Sequence, residues 1–147
     1  MLSDLVSEIR QFDNKIYPKI IREINIDDIT STISLLQTEN EETLFVLDDQ
    51  KEKFIGVINI RYKLTDIMTE YVGNIGHCVT PSERRKGYGN EILQLAIAHA
   101  KRNGLNRILL TCDKTNIASK KSILYNGGVW ERDVIFKNNI IERYWIS

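Results

Sequence analysis

The sequence predicts an α/β fold with a mixed β-sheet, and three observations point to it. A strand, a helix and a second strand follow one another within residues 72–112, at the spacing of a βαβ crossover. Two β-rich runs precede this unit and two follow it, each pair separated by a short polar turn. The chain has 147 residues and is 42% hydrophobic, enough for one sizeable core. We therefore expect a single domain over residues 1–147, whose sheet is antiparallel at both ends and parallel at the central strand pair.

The N-terminal quarter predicts helices. Residues 2–22 place apolar side chains at loosely helical spacing, with Pro18 as an interruption, and predict one or two short helices. Farther along, Asp27 or Asp28 can cap a helix over residues 29–36, where apolar residues recur every three to four positions.

Strands dominate the next segment. Residues 43–47 and 54–62 are rich in β-branched and aromatic residues, and the polar turn between them predicts a hairpin. Residues 72–79 predict a further strand, which Thr80 and Pro81 end, because proline cannot donate to a β-ladder and favours extended geometry in the residue before it.

The βαβ unit is completed by a helix and a buried strand. Apolar residues at positions 93, 96, 97 and 100 share one face of a helix predicted over residues 87–103, which Gly104 ends. The continuous apolar run at residues 107–112 is typical of a strand buried on both faces.

A capped helix and a hairpin close the chain. Asn116 can cap a helix that runs through Tyr125 and stops at two glycines. The β-rich runs at residues 129–136 and 140–146 flank the turn "KNN".

Charge and cysteine content narrow the class of protein. The net charge is zero, although residues 1–80 hold 8 basic and 14 acidic residues and residues 81–147 hold 12 and 6. This balance, without a basic stripe, argues against a nucleic-acid binder. No apolar run is long enough to span a membrane or has the form of a signal peptide, so we expect a cytoplasmic protein. Cys78 and Cys112 lack neighbours at zinc-ligand spacing, so we expect no metal site.

The stretch "PSERRKGYGNEI", residues 81–92, lies where a strand gives way to a helix. Main-chain N–H groups in the first turn of a helix lack carbonyl partners, and the helix dipole attracts anions there. Gly87 and Gly89 let a ligand approach the main chain, and the three cations before them can neutralise a pyrophosphate. A solvent-exposed turn with charges for solubility is the alternative interpretation.

Two familiar phosphate-binding motifs do not fit this stretch. No glycine in the chain meets the spacing of a P-loop. The dinucleotide fingerprint fails because Ile92 stands where its third glycine would be.

A third pattern does fit. "RRKGYG" is similar to the [RQ]-x-x-G-x-[GA] signature of the GNAT superfamily of N-acetyltransferases, and the order of elements around it agrees. The segments "IGHCVTPSERRKGYGNEIL", "TCDKTNIASKKSI", "NGGV" and "RYWI" resemble a bacterial subgroup of predicted acetyltransferases within it. The resemblance implies the acyl-CoA N-acyltransferase fold, with a mixed central sheet of about six to seven strands flanked by helices. It also implies acetyl-CoA as the acetyl donor.

The resemblance implies a set of residues that bind acetyl-CoA. Arg84 opens the signature, and the main-chain amides that follow it would hold the pyrophosphate. The end of the preceding strand would pair with the pantetheine arm, and the first turn of the last helix would lie along the other side of the ligand. The residues in these three groups are Arg84, Arg85, Lys86, Gly87, Tyr88, Gly89 and Asn90; Cys78, Val79 and Thr80; and Asn116, Ser119 and Lys120.

Catalytic residues are harder to transfer. Acetyl transfer needs a deprotonated amine and a proton for the leaving thiolate. Many members of the superfamily supply that proton from a tyrosine seven residues after the asparagine, but this position holds Ile123. Tyr125 lies two residues later, about 200° around the helix. We take Tyr125 as a candidate acid, with packing as the alternative.

Glu70, just before the third predicted strand, is a candidate base, close to where some relatives hold a carboxylate; an ordinary surface glutamate is the alternative. His77 alternates with Ile75 and Val79, so it either faces the acceptor cleft or is a half-buried structural histidine.

The sequence thus predicts an N-acetyltransferase that acts on a primary amine of a small molecule or peptide, as a monomer or homodimer, by direct attack in a ternary complex. Acidic residues such as Glu39, Glu41 and Glu42 would suit a cationic acceptor. The alternatives are a non-catalytic acyl-CoA-binding regulatory module, which Ile123 favours, and a phosphate-binding regulatory domain. No motif names the acceptor, whose contacts would lie in the N-terminal helices, the loop at residues 61–70 and the closing hairpin.

Overall fold

The structure is a computed structural model that describes residues 40–48 and 53–147. The helices predicted within residues 2–22 and 29–36, and the turn that follows the first strand, lie outside the described residues. The elements are β1 (Glu41–Asp48), β2 (Lys53–Arg61), α1 (Asp66–Tyr71), β3 (Ile75–Val79), α2 (Tyr88–Arg102), β4 (Ile108–Asp113), α3 (Ile117–Tyr125), β5 (Val129–Phe136) and β6 (Asn139–Ile146).

The six strands form two three-stranded antiparallel sheets, ordered β1-β2-β3 and β4-β6-β5. The α/β class and the number of strands agree with the prediction. The parallel ladder expected between β3 and β4 is absent from the described part of the chain, where their region of approach holds one isolated bridge, between Gly73 and Leu110. The edges of β3 and β4 therefore face each other without a ladder.

Helix α2 supplies the core between the sheets. Its apolar residues recur at helical spacing, so one face is buried while the opposite face, with Glu91 and Gln94, is exposed. The buried face packs with Ile58, Ile75 and residues of β4 in one hydrophobic cluster. The buried residues of α2 are Ile92, Leu93, Ala96, Ile97 and Ala100.

The capping signals at α3 and the closing hairpin act as predicted. The Asn116 side chain accepts a hydrogen bond from Ser119 N at 3.1 Å, which caps α3. At the other end Gly128 has no room for a side chain, because a Cβ there would lie 2.4 Å from Cγ2 of Ile123. Lys137 and Asn138 both adopt positive φ, 47° and 69°, as a tight hairpin turn requires.

Helix α1 was missed by the sequence prediction, which placed a loop here and began the next strand at Val72. Thr65 caps this helix by accepting a hydrogen bond from Met68 N at 3.2 Å. Gly73, at φ 86°, then breaks the chain direction, and β3 begins at Ile75. Six residues are too few to show a helical period in the sequence.

Candidate active site

The two sheets meet at Asn74. Its main-chain N–H donates to Leu109 O, and its side-chain oxygen accepts from Leu109 N, both at 2.8 Å. Its side-chain nitrogen donates to Arg61 O at 2.9 Å, and Arg61 N donates back to Asn74 O at 2.7 Å. One buried asparagine thus joins β2, the start of β3 and β4, and the gap between β3 and β4 opens from this point.

The edge of β3 that faces the gap has no partner strand among the described residues. Thr80 N donates to Ile55 O, and Arg61 N to Asn74 O, so the even-numbered residues of this strand direct their main-chain groups toward β2. Those of Ile75, His77 and Val79 therefore point into the gap.

This register changes which residues can pair with a pantetheine arm. We predicted Cys78, Val79 and Thr80, but the main chains of Cys78 and Thr80 point to β2. Of the three, Val79 alone presents its main chain to the gap, and its carbonyl already accepts from Nε of Arg84 at 3.1 Å. His77, which the prediction omitted as a ligand contact, presents its main chain beside it.

The glycine turn brings the N-terminus of α2 to the mouth of the gap. Gly87 precedes α2 at φ 85°, and no side chain caps the helix, so the first amides of α2, at residues 88–90, are left without a side-chain acceptor. A Cβ at Gly87 would meet nothing within 4 Å, whereas a Cβ at Gly89 would lie 3.3 Å from the Ser122 hydroxyl. A side chain at position 87 would therefore enter open space, whereas one at position 89 would press against α3.

The three cations of the turn have different surroundings. Arg84 binds Val79 O, and its guanidinium lies 3.7 Å from Cys78 Sγ. Lys86 forms an ion pair at 2.9 Å with the buried Glu83. Arg85 is exposed and adopts φ 63°, an unusual conformation for a residue with a side chain. Arg84 and Lys86 therefore hold the turn in shape, and Arg85 is oriented toward solvent.

A pocket of about 180 Å³ occupies the gap between the two sheets. Residues of β3 and β4 form its sides, and α2 and α3 contribute one apolar residue each. Its polar lining consists of Arg61, His77, Thr111 and Ser119, and its other lining residues are Val72, Ile75, Gly76, Leu93, Leu110 and Ile123.

His77 lies in the wall of this pocket. It pairs across the sheet with the buried Ile58, so its side chain lies on the face that packs against α2 and α3. Burial lowers the pKa of its imidazole below the ordinary range of histidine. At neutral pH the ring is therefore uncharged, with one nitrogen able to accept a proton.

Helix α3 turns Ile123 into the pocket and Tyr125 away from it. Ile123 is 3% exposed and lines the cavity, whereas Tyr125 is 70% exposed. The two-residue offset, about 200° around the helix, accounts for this difference. Tyr125 does not line the pocket, and the proton-donor role predicted for it gains no support from its position.

Glu70, the predicted base, lies at the end of α1 in a two-point ion pair with Arg132, at 2.9 and 3.0 Å. This hydrogen-bonded pair lowers the pKa of the Glu70 carboxyl. The carboxylate is thus held ionised by its partner, outside the residues that line the pocket.

Arg143 fixes α1 against the closing hairpin. The buried guanidinium donates to the carbonyl of Thr69, to that of Glu70 at 2.9 Å, and to Glu131 at 3.1 Å. A basic residue in a strand gave no sign of this role, because its partners in α1 lie more than 70 positions away in sequence.

The first turn of α3 divides its three predicted ligand contacts. Ser119 lines the pocket, while Asn116 caps the helix. Lys120 lies 3.3 Å from the carboxylate of the buried Glu142, whose second oxygen has no hydrogen-bond partner among the described residues.

The acidic residues expected to attract a cationic acceptor are engaged within the chain. Glu41 accepts from the Asn59 amide at 2.7 Å. Glu42 accepts from the Tyr62 hydroxyl at 3.1 Å and lies 2.6 Å from Nε2 of His99. Glu39 lies outside the described residues.

The described part of the chain shows neither a metal-binding cluster nor a membrane-spanning helix. Residues 40–48 and 53–147 contain no group of three or more His, Cys, Asp or Glu side chains that could hold a metal ion. Over the same residues, no helix has the length and apolar character needed to cross a membrane.

Several solved structures share the fold of this chain. A protein from Bordetella pertussis described as a GnaT-family acetyltransferase is 16% identical, with TM-score 0.69 over 99% of this chain and 89% of its own. Mutant forms of the spermidine/spermine N-acetyltransferase SpeG from Vibrio cholerae are 15% identical, with TM-score 0.66 over 96% and 87%. A GNAT-family acetyltransferase from Bacillus anthracis is 22% identical, with TM-score 0.58 over 71% and 64%. At these identities the likeness concerns the fold alone.

Sequence comparison extends this beyond the fold. No curated protein sequence matches the chain. The model of the acetyltransferase (GNAT) family, however, matches residues 6–122, which include the glycine turn, the gap-facing edge of β3 and most of α3. The chain therefore belongs to the GNAT family of acetyltransferases.

Proposed function

We propose that this acetyltransferase, acting as one domain over residues 1–147, transfers the acetyl group of acetyl-CoA to a primary amine of a small molecule or peptide. The observation that carries the proposal is the open gap between β3 and β4, with the uncapped N-terminus of α2 at its mouth. Amine and donor would meet in this gap as a ternary complex.

The residues around the gap fit acetyl-CoA, which supplies an acetyl group activated as a thioester. The main-chain amides of residues 85–90 offer donors to a pyrophosphate, and Arg85 offers a solvent-facing cation. The gap-facing main chain of His77 and Val79 offers partners to the amides of a pantetheine arm. Ser119, which lines the pocket, would lie along the other side of the ligand, as the sequence predicts.

The acceptor is proposed only as a primary amine. The pocket itself holds one cation, Arg61, and no carboxylate among its described lining residues. Glu70 is paired with Arg132, and Glu41 and Glu42 are engaged within the chain, so none of these three predicted acids offers an unengaged carboxylate to a polyamine. Spermidine remains a sensible test acceptor, since SpeG proteins share the fold, alongside peptides and other amines.

Two further proposals concern the cellular location and the oligomeric state. Both cysteines are free, which fits the reducing cytoplasm proposed as the location. The assembly is proposed to be a monomer or homodimer.

Binding is tested by thermal shift with acetyl-CoA, CoA and ATP. We expect both CoA species to raise the melting temperature more than ATP does. Gly89→Val should reduce the shift, because a Cβ at this position already lies 3.3 Å from the Ser122 hydroxyl, so a valine would push the first turn of α2 and its main-chain amides away from α3; Ala98→Val, the same new side chain at an exposed position of α2, is the matched control. Equal shifts for the two variants would contradict the proposed binding turn.

Activity is tested by release of free thiol from acetyl-CoA in the presence of polyamines, aminoglycosides and peptides with free N-termini. We expect amine-dependent release with at least one class. Stabilisation by acetyl-CoA without release by any of them would instead favour the alternative of an acyl-CoA-binding regulatory module, which Ile123 at the usual tyrosine position supports.

A further inference from the structure

Among the described residues that line the pocket between β3 and β4, one side chain can accept a proton near neutral pH. Arg61 carries a guanidinium, which has no acceptor atom, and Thr111 and Ser119 carry hydroxyls, which do not ionise near neutral pH. His77 is the remaining titratable side chain. Any proton that moves within this space has one side chain to receive it.

The position of His77 is set by the sheet. Ile75, His77 and Val79 alternate along β3 on one face, and the cross-strand partner of His77, Ile58, is 2% exposed. The side chain is therefore directed toward the helices, and its main chain toward the gap. A histidine here stands between the hydrophobic core and the cavity.

The surroundings of the imidazole keep it neutral and available. The described residues form no hydrogen bond with its ring. Across the pocket, α2 contributes Leu93, α3 contributes Ile123 and Ser119, and β4 contributes Leu110 and Thr111, none of them charged. Arg61 is the one charged residue among the described lining residues, and burial is what lowers the pKa of the imidazole.

The two side chains that the sequence suggested for proton transfer do not line the pocket. Tyr125 is mostly exposed, and Glu70 is paired with Arg132. Ile123, at the position where many family members have a tyrosine, has no proton to give.

We propose that His77 is the proton-transfer group of the acetyl transfer described above, on which this inference rests. As the amine nitrogen forms its bond to the acetyl carbon, the imidazole takes the proton that the nitrogen must lose. As the carbon–sulfur bond breaks, the electron pair stays on sulfur, and the imidazolium returns the proton to it. The products are the N-acetylated amine and free thiol, and His77 ends neutral, as it began.

The test compares the two histidines of the chain. His77→Gln should lower kcat by about 100-fold, the usual scale for loss of a general acid–base group, while the thermal shift with acetyl-CoA remains. His99→Gln is the matched control, because this histidine lies on α2 beside Glu42 and does not line the pocket. Its kcat should stay within about twofold of wild type, because the substitution removes no general acid–base group.

The pH profile separates catalysis from a structural role. Wild-type kcat/KM should fall at low pH with a slope of one proton, and His77→Gln should lose this limb. If His77→Gln melts too low for assay, His77→Ala with added free imidazole replaces it, with recovery of activity expected.

Three results would overturn the proposal: His77→Gln with near-wild-type kcat, an unchanged acid limb in that variant, or a larger kcat loss in Tyr125→Phe than in His77→Gln. Each leaves the proposed function intact, because wild-type thiol release is measured in the same assay. Absence of amine-dependent release by the wild type would instead overturn the proposed function.

Discussion

Asn74→Ala should be among the most damaging single substitutions outside the hydrophobic core. The side chain is 6% exposed and makes two hydrogen bonds, from Leu109 N at 2.8 Å and to Arg61 O at 2.9 Å. Alanine removes both and leaves one main-chain donor and one main-chain acceptor without these partners. The main-chain bonds of Asn74 remain, so the sheets stay joined while the junction weakens.

The magnitude follows from those two bonds. Each unsatisfied group costs about 1–3 kcal/mol, so the free energy of unfolding should fall by about 3 kcal/mol. For a chain of this size, each kcal/mol lowers the melting temperature by about 2–4 °C, which gives a decrease of about 6–12 °C. Thermal unfolding followed by circular dichroism measures it.

The matched control is Asn106→Ala, which removes the same side chain from an exposed position before β4. It should change the melting temperature by less than about 2 °C, as most surface substitutions do. Because the gap opens from Asn74, the Asn74 variant should also raise the KM for acetyl-CoA. Equal melting temperatures for the two variants would refute the role of this asparagine as the junction between the sheets.

Three further outcomes are expected. Arg143→Met should lower the free energy of unfolding by about 3 kcal/mol, since bonds to a charged donor are lost, and should speed hydrogen exchange in α1; unchanged exchange there would contradict the anchoring role. Iodoacetamide at pH 8 should label Cys78 before Cys112, because burial raises the pKa of the Cys112 thiol to about 11; the reverse order would contradict this. The free energy of unfolding should decrease as the pH falls below about 6.5, where the unfolded chain takes up a proton that half-buried His77, with its lowered pKa, does not, and His77→Gln should remove this component.

Local signals in the sequence predict the parts of the site that depend on neighbours in the chain. The glycine turn lies where "RRKGYG" places it, and Asn116 caps α3 as its position before the helix indicates. Both depend on residues within a few positions of each other, and the physical chemistry of helix ends links them directly to structure.

Long-range contacts explain what the sequence does not show. Asn74 contacts Leu109, 35 positions away, and Arg143 contacts Glu70, 73 positions away, so no local pattern marks these roles. The pairing phase of β3 depends on its register with β2, and a shift of one residue exchanges the groups that face the gap. For this reason Cys78 and Thr80 were expected at the gap, where the structure places the main chain of His77.

The side-chain chemistry of the pocket was likewise left open by the sequence. Alternation along β3 put His77 on the same face as Ile75, but a cleft and a core both satisfy that pattern. The packing of α2 and α3 over this face favours the cleft, because it leaves a cavity beside the imidazole ring of His77.

The central claim, that acetyl-CoA binds between the glycine turn and the gap-facing edge of β3, is tested most directly by hydrogen–deuterium exchange with and without acetyl-CoA. The gap-facing amides of β3 at residues 75, 77 and 79, together with those of residues 85–90, should exchange more slowly in the presence of the ligand. Exchange in the closing hairpin should change little. Protection confined to other segments, with residues 75–79 and 85–90 unaffected at saturating acetyl-CoA, would contradict the account.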